Sequence, residues 1–565
     1  MEAGFKHRVG NKDFSSGTVL IIGAGISGIC TAIDLIRRHG CHNFIIVEKS
    51  SYVGGTWGDN RYPGARCDVW SHLYSFSFEG SDWTREFSDQ EEIHAYLVRV
   101  AEKWGLYKYI RFNTAVDEAR WNDKALKWET AVTVANGSKD AESSSSYVIT
   151  SDYLVSAVGQ LNAPFIPDIL GLRSFKGKLI HSSRWDHTYN YEGKRVAVIG
   201  NGATAAQIIP EVAKQARALT VFQRTANWII PREDAEIPQW RRSIYRLLPL
   251  ARKRYRAELM DIREGMLYNI IVTGDAAGKD LLRSMNKELI NKQIPNNPEL
   301  IEKLTPDYPP GCKRIIISDD FFEAMNKSHI SLETGKIEKI TENGIVAGGN
   351  EYDFDMIVMA TGFRTVDFMF PINVFGLNER SIHDIWRDGP QAYYGMTVES
   401  LPNFAMLYGP NTNLGHNSII LMIETQSRYI TELISQVCKA KSIGKTLVIS
   451  PKVEPLKQHN HELQQKLALS TYASPSCKSW YKLDNGLITN NWSGTVIDYQ
   501  KQTSTIEWDN FDIDGNYADE LRDANKNYIG RIQEETFIGR LGLGILVLMA
   551  SSAVFYALRN VHVAR

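Results

Sequence analysis

The chain contains no Cys-x-x-Cys pair, and its six cysteines (Cys30, Cys41, Cys67, Cys312, Cys438 and Cys477) are scattered along 565 residues. That pattern argues against a zinc site or a redox-active dithiol and for a reducing compartment. Excess charge is missing too: the formal net value is -1, so neither nucleic acid nor an acidic polymer is an expected partner. Met1 to Asp13 is polar and has no apolar run, which excludes a secretory signal from the reading. What remains is ordinary globular composition, 43% hydrophobic and 23% charged, in a chain too long for one core.

Two stretches of the same design stand out. Thr18 to Ile22 is a β-branched apolar run ending in Gly23-Ala24-Gly25-Ile26-Ser27-Gly28, after which Ile29, Ile33 and Ile36 continue from Ile26 at helical spacing. Strand, glycine turn and helix are the context of a dinucleotide site. Gly23 permits the tight turn, Gly25 the approach of a pyrophosphate, and Gly28 close packing of helix on strand. The helix N-terminus then faces the phosphates. A second strand, Phe44 to Val47, ends at Glu48, where an acid binds ribose hydroxyls. The plan repeats with Arg195 to Ile199, then Gly200-Asn201-Gly202-Ala203-Thr204-Ala205, then Leu219 to Phe222. Superposing the units puts Gln223 in the place of Glu48, with Arg224 next. An acid there repels a 2′-phosphate, whereas Gln followed by Arg binds one. Asp152 to Gly159 also aligns without a gap on Asp355 to Gly362, as two buried parallel strands leading into glycine turns. Elsewhere Glu91 to Trp104 reads as a helix, Trp128–Val134 with Tyr147–Thr150 as a hairpin around a serine-rich tip (143–146), and Tyr153–Val158 as a separate strand.

Several fixed patterns then converge. Phe175 to Asp186 holds Phe175, Gly177, His181, Trp185 and Asp186; Gly54 to Asp68 holds Gly54, Gly55, Trp57, Tyr62, Pro63, Gly64 and Asp68; Lys313-Arg314 follows a glycine turn, and Ser479-Trp480-Tyr481 lies near the end. In these the chain resembles the single-chain, FAD-containing Baeyer-Villiger monooxygenases, with fingerprints F-x-G-x-x-x-H-x-x-x-W-(P/D) and G-G-x-W-x-x-x-x-Y-P-G-x-x-x-D, over about Val19 to Trp492. Read from the residues alone, Phe175–Asp186 is equally a packing hairpin, Asp68 a turn cap, Lys313-Arg314 a surface dipeptide and Trp480 a core residue. The resemblance implies FAD on the first unit, bordered by Thr56, Trp57, Gly58, Asp59, Arg66, Cys67 and Tyr74, with Asp68 beside the reactive ring. It implies NADPH on the second, with Arg224, Thr225 and Lys313 on the 2′-phosphate and Trp480 closing over the nucleotide. Arg314 becomes the active-site arginine, and His181 and Trp185 couple the domains.

The expected reaction is insertion of one oxygen atom from O2 beside a ketone carbonyl, through a flavin peroxide and a tetrahedral adduct, giving an ester or lactone. No metal is expected. The rival reading is an N- or S-oxygenating flavin monooxygenase, whose relatives carry Tyr or Phe at the place of Trp185. The expected architecture is α/β: an FAD domain in two parts (1–160 and 374–500) around an NADP domain (161–373) with a helical insertion near 231–310. The insertion's basic run (Arg241, Arg242, Arg246, Arg252, Lys253, Arg254, Arg256) is read as a solvated helix face. A polar linker (501–540) then leads to Leu541–Leu558, uncharged throughout. As a helix that stretch would reach about 27 Å, close to bilayer thickness. It is expected to anchor the protein by one transmembrane helix with the catalytic part in the cytoplasm, at the endoplasmic reticulum if the source is eukaryotic. A membrane tail fits a bulky, apolar ketone.

Overall fold

Burial on both faces is what lets a parallel strand be an unbroken apolar run, and the two glycine-ended runs of this chain become inner strands of two separate sheets. The computed structural model describes residues 15–135 and 145–536. In the larger, eight-stranded sheet Ser16–Ile22 lies between Phe44–Val47 and Ser145–Ser156, parallel to both. Thr114–Asn122 and Lys127–Val134 extend it as antiparallel strands. Asn373–Phe375 and Phe404–Met406 rejoin it from far along the chain. The smaller sheet has five strands, all parallel, in the order 330–333, 218–222, 195–199, 356–359, 178–181. The protein is therefore α/β with two nucleotide-binding sheets.

Several local readings change. The helix expected at Glu91–Trp104 spans Gln90–Lys103, capped by the Asp89 carboxylate on the Glu92 N–H. The strands expected at 147–150 and 153–158 are one, Ser145–Ser156. Its first half pairs with Lys127–Val134, and its second half crosses to lie beside Ser16–Ile22. Polar Ser151 and Asp152 mark that crossover rather than a break. Part of the serine-rich tip (143–144) lies outside the described residues.

The insertion is helical as expected, with Gln239–Leu247, Pro249–Asp261, Ala276–Gln293 and Pro298–Leu304, but two π-helical turns, Ile262–Leu267 and Asn269–Thr273, interrupt it. Its basic run is not simply solvated. Arg242 grips Asp82 through two bonds of 2.9 Å, Arg241 bonds Glu86, and Arg256 is buried against Glu534 and the Ser75 carbonyl. Acids on the facing 82–86 loop, and Glu534 from far along the chain, are invisible to helical periodicity and account for the difference.

The cysteine reading is corrected as well. Cys312 and Cys477, 165 residues apart, form a disulfide with an S–S distance of 2.02 Å. A pair so distant along the chain leaves no spacing signal. Residues 501–536 pack onto the larger domain, where Trp508, Phe511, Ile513 and Leu521 are buried. Among the described residues no helix is long and apolar enough to cross a membrane, and Leu541–Leu558 lies outside the described residues.

Candidate active site

The two glycine turns are built alike, and their surroundings explain why. Gly23 has φ +107°, and a Cβ there would stand 2.7 Å from the Ala157 carbonyl oxygen; Gly200 has φ +111° and would collide with the carbonyl of Ala360. Ala157 and Ala360 are the pair matched by the gapless alignment of the two following strands. A Cβ at Gly28 would run into the Gly23 carbonyl, so the helix Ile26–His39 sits as close to its strand as backbone allows. At Gly202, by contrast, a Cβ would meet nothing within 4 Å. The helix Ala203–Val212, opening with Ala203, Thr204 and Ala205, begins just after that open position. Both turns present free helix N–H groups beside space kept clear of side chains, which fits the pyrophosphates of FAD and NADP.

Glu48 follows its strand as expected. Its carboxylate accepts the Ala24 and Ser50 N–H groups, each at 2.8 Å. Burial raises its pKa, partly offset by those two bonds. The turn Thr56–Asp59 carries the other expected flavin neighbours. Trp57 Nε1 donates to the Tyr74 hydroxyl at 3.0 Å, Tyr52 donates to Asp59 at 2.8 Å, and a Cβ on Gly58 would enter the Tyr52 ring. Arg66 pairs with Asp234 at 2.5 Å, and burial pushes the Cys67 thiol up to about 12. That thiol is protonated at neutral pH.

Asp68 and Arg314, 246 residues apart in sequence, meet as a two-pronged ion pair: Nε to Oδ2 at 2.8 Å and Nη2 to Oδ1 at 2.7 Å. The remaining Arg314 nitrogen, Nη1, donates to the carbonyls of Leu414 and Gly415 at 3.3 and 3.2 Å. Burial opposes the charge on Arg314, and the Asp68 carboxylate overrides it, so the guanidinium pKa lies above its ordinary value. Burial likewise opposes ionisation of Asp68, but Arg314, then Arg263 and Arg232, hold its pKa below the usual carboxylate range. Both groups are charged at neutral pH. Tyr74, Tyr408 and Tyr481 line the same region, and burial raises each phenol well above its ordinary pKa. The arrangement is a fixed cation, oriented by a carboxylate and by backbone carbonyls, and walled by neutral aromatic groups. Its chemistry is stabilisation of developing negative charge.

At the second unit, Arg224 and Thr225 are exposed at the end of Ala218–Phe222, and Lys313 lies over the Tyr308 ring at 4.4 Å. Burial, and next the charge of Arg224, depress the Lys313 pKa to about 8. Lys313 thus feels the charge of Arg224. Arg224→Ala is expected to weaken NADPH binding roughly ten- to a hundredfold with little effect on NADH. Lys313 is charged below about pH 8 and loses that charge above it. NADPH affinity should therefore fall as pH rises through that value while NADH affinity stays flat. Fluorescence titration of both nucleotides across pH checks both statements, and parallel curves for the two would contradict them.

Comparison with known proteins decides what this site belongs to. The family model "Flavin-binding monooxygenase-like" matches residues 16–473. A protein named Baeyer-Villiger monooxygenase from Streptomyces coelicolor is 37% identical over 86% of this chain and 91% of its own length. The chain belongs to the flavin-binding monooxygenases of Baeyer-Villiger type. "FAD-binding monooxygenase ktnD" of Aspergillus niger is 48% identical, covering 98% of this chain and 91% of that protein. The crystal structure of OTEMO in complex with FAD and NADP superposes with a TM-score of 0.75 at 28% identity, over 88% of this chain and 99% of the other.

For a Baeyer-Villiger monooxygenase the two nucleotide units must be held in register, and the fingerprint residues sit where they connect. His181 ends the strand Lys178–His181; its Nε2 lies 3.0 Å from the Gly362 carbonyl and its Nδ1 2.9 Å from Ser183 Oγ. Burial depresses its pKa to about 4, so it is neutral. Gly362 belongs to the return crossing, bonded to the outgoing one through Phe165 N–H and the Pro164–Phe363 bridge. Trp185 packs edge-on to Tyr191 and against the second unit's core, which Tyr62 of the 54–68 loop also touches. The clasp that sequence reasoning missed is Gln207. It accepts from the Tyr62 hydroxyl at 3.0 Å and donates to the Arg66 carbonyl at 2.9 Å. Trp480 is 39% exposed, beside the Cys312–Cys477 disulfide that ties its segment to the Lys313-Arg314 loop. The 414–416 loop was also missed. Its asparagine-rich stretch (Asn411, Asn413, Asn417), unusual for a buried segment, was the available signal.

Proposed function

We propose that Arg314 and Asp68 form the centre at which this enzyme, using NADPH and O2, converts a bulky, apolar ketone to an ester or lactone. The observation that carries this reading is the two-pronged Arg314–Asp68 pair, which joins the 54–68 loop to the 311–314 loop. Bound FAD supplies hydride acceptance from NADPH and activation of dioxygen. The chain's own residues do the rest. Arg314 stays protonated at any working pH and faces negative charge that develops on oxygen. Asp68 and the 414–415 carbonyls fix its plane, and the buried tyrosines keep water away. Arg224, Thr225 and Lys313 select NADPH over NADH, while Glu48 steadies the first turn and is placed to meet ribose.

The experiment is product analysis of the purified, yellow full chain with NADPH against cyclic, linear and polycyclic ketones and a panel of amines and sulfides. Ester from polycyclic ketones is expected; N- or S-oxide as the only product would replace this reading by the heteroatom-oxygenating one. We place the enzyme on a membrane through Leu541–Leu558, with the catalytic domains on the cytoplasmic side, supported by that stretch's lack of charge and its near-bilayer length. Full-length protein is expected to sediment with membranes and a chain truncated after residue 536 to stay soluble. Full-length protein left in the detergent-free supernatant would contradict it.

A further inference from the structure

Asp68 and Arg314 cancel one another's charge, and a further guanidinium lies against the pair. Arg263 lies in the π-helical turn Ile262–Leu267, with only 8% of its surface exposed. Its Nη2 donates to the Asp68 backbone carbonyl at 3.3 Å and its Nη1 to the His416 carbonyl at 3.2 Å, while the guanidinium stacks 4.6 Å over the Trp70 ring. Three successive carbonyls of one loop, at Leu414, Gly415 and His416, are thus shared between two guanidiniums. Among the described residues no carboxylate lies within ion-pair distance of Arg263, and its Nε has no hydrogen-bond partner. Burial, and next the charge of Arg314, lower its pKa to about 10, so it remains charged at neutral pH. The neighbouring Glu264 does not neutralise it. That carboxylate is taken up by His416 Nε2, Asn417 and the Val496 N–H, which hold the carbonyl loop in place. Arg232, the third cation felt by Asp68, also feels the negative charges of Asp319 and Asp320, and the Asp319 carboxylate accepts its backbone N–H at 2.8 Å.

A buried guanidinium without a carboxylate is costly, because desolvation is not repaid by a paired charge. Such cost concentrates where function uses it, and π-turns recur at such sites. We propose that Arg263 is the second fixed cation of this active site: a positioning residue that aligns Asp68 and the 414–416 loop and leaves one net positive charge for the negative charge that develops on oxygen. This rests on the ketone-oxygenating reading above.

The test uses full-length holoenzyme carrying Arg263→Met, which keeps the bulk and removes the charge, and Arg263→Lys, which restores the charge. Arg263→Met is expected to lower ester formed per NADPH consumed by about tenfold, with hydrogen peroxide making up the difference and the KM for NADPH within about twofold. The midpoint potential of its bound FAD should move to a more negative value. Arg263→Lys should recover most of both. Wild-type coupling and potential in Arg263→Met would overturn the proposal. So would equal losses in both variants with a lowered Tm and an unchanged potential, which is the signature of packing alone. If the wild-type enzyme made no ester at all, the oxygenation reading would fail, and the potentials of the three proteins would still report whether Arg263 supplies the charge.

Discussion

Arg314→Ala leaves NADPH oxidation running but lowers ester formation by about 10²- to 10³-fold, the usual consequence of removing a group aimed at developing oxyanion charge. Hydride delivery depends on the nucleotide sites, and the side chains that shape them, Glu48, Lys313 and Arg224, are not among the hydrogen-bond partners of the Arg314 side chain, which are Asp68 and the 414–415 carbonyls. The oxygen-transfer step depends on a cation held in one plane by Asp68 and two carbonyls. The electrons should therefore appear as hydrogen peroxide. Arg314→Lys is expected to fall between, since a lysine keeps the charge but cannot make the two-pronged bond to Asp68. Parallel assays of NADPH, ester and peroxide read the split, and equal losses of NADPH oxidation and ester would show that Arg314 serves binding instead.

Gly28→Ala should yield protein without flavin. The added Cβ meets a backbone carbonyl, that of Gly23, so no side-chain rotation relieves the contact. The helix Ile26–His39 must shift off the strand Ser16–Ile22, opening a core in which Ile29, Ile33 and Val19 are fully buried. Overpacking of this kind costs about 1–3 kcal/mol and moves the helix N-terminus that binds phosphate. The expected result is loss of flavin absorbance per protein with a lowered Tm. Gly202→Ala is the control. Its Cβ enters open space, so flavin and Tm should be retained while NADPH binds more weakly. Full flavin content in Gly28→Ala would contradict the close-packed turn.

What the sequence made legible was local. Each glycine turn needs a strand before it, a helix after it and particular residues within a few positions, so both were visible; that the Ala157 and Ala360 carbonyls press on Gly23 and Gly200 was not. Asp68 and Arg314 were legible only through their motifs; nothing in their spacing foretells a 2.7 Å contact across 246 residues. Arg263, Gln207 and the 414–416 carbonyls were illegible for the same reason. Their partners come from other segments, and a backbone carbonyl has no residue type to read. The Cys312–Cys477 bond failed as a reading because a pair 165 residues apart looks like two solitary thiols. The basic insertion failed because helical periodicity describes a face and not what stands opposite it, here Asp82, Glu86 and Glu534.

The most direct test of oxygen insertion at this centre follows the oxygen itself. With dioxygen made from the heavy isotope, NADPH and a ketone that the enzyme turns over, the product ester should carry one heavy atom, in the single-bonded oxygen beside the carbonyl, for each NADPH used in product formation. An ester without label, or label only in the carbonyl oxygen, would contradict it.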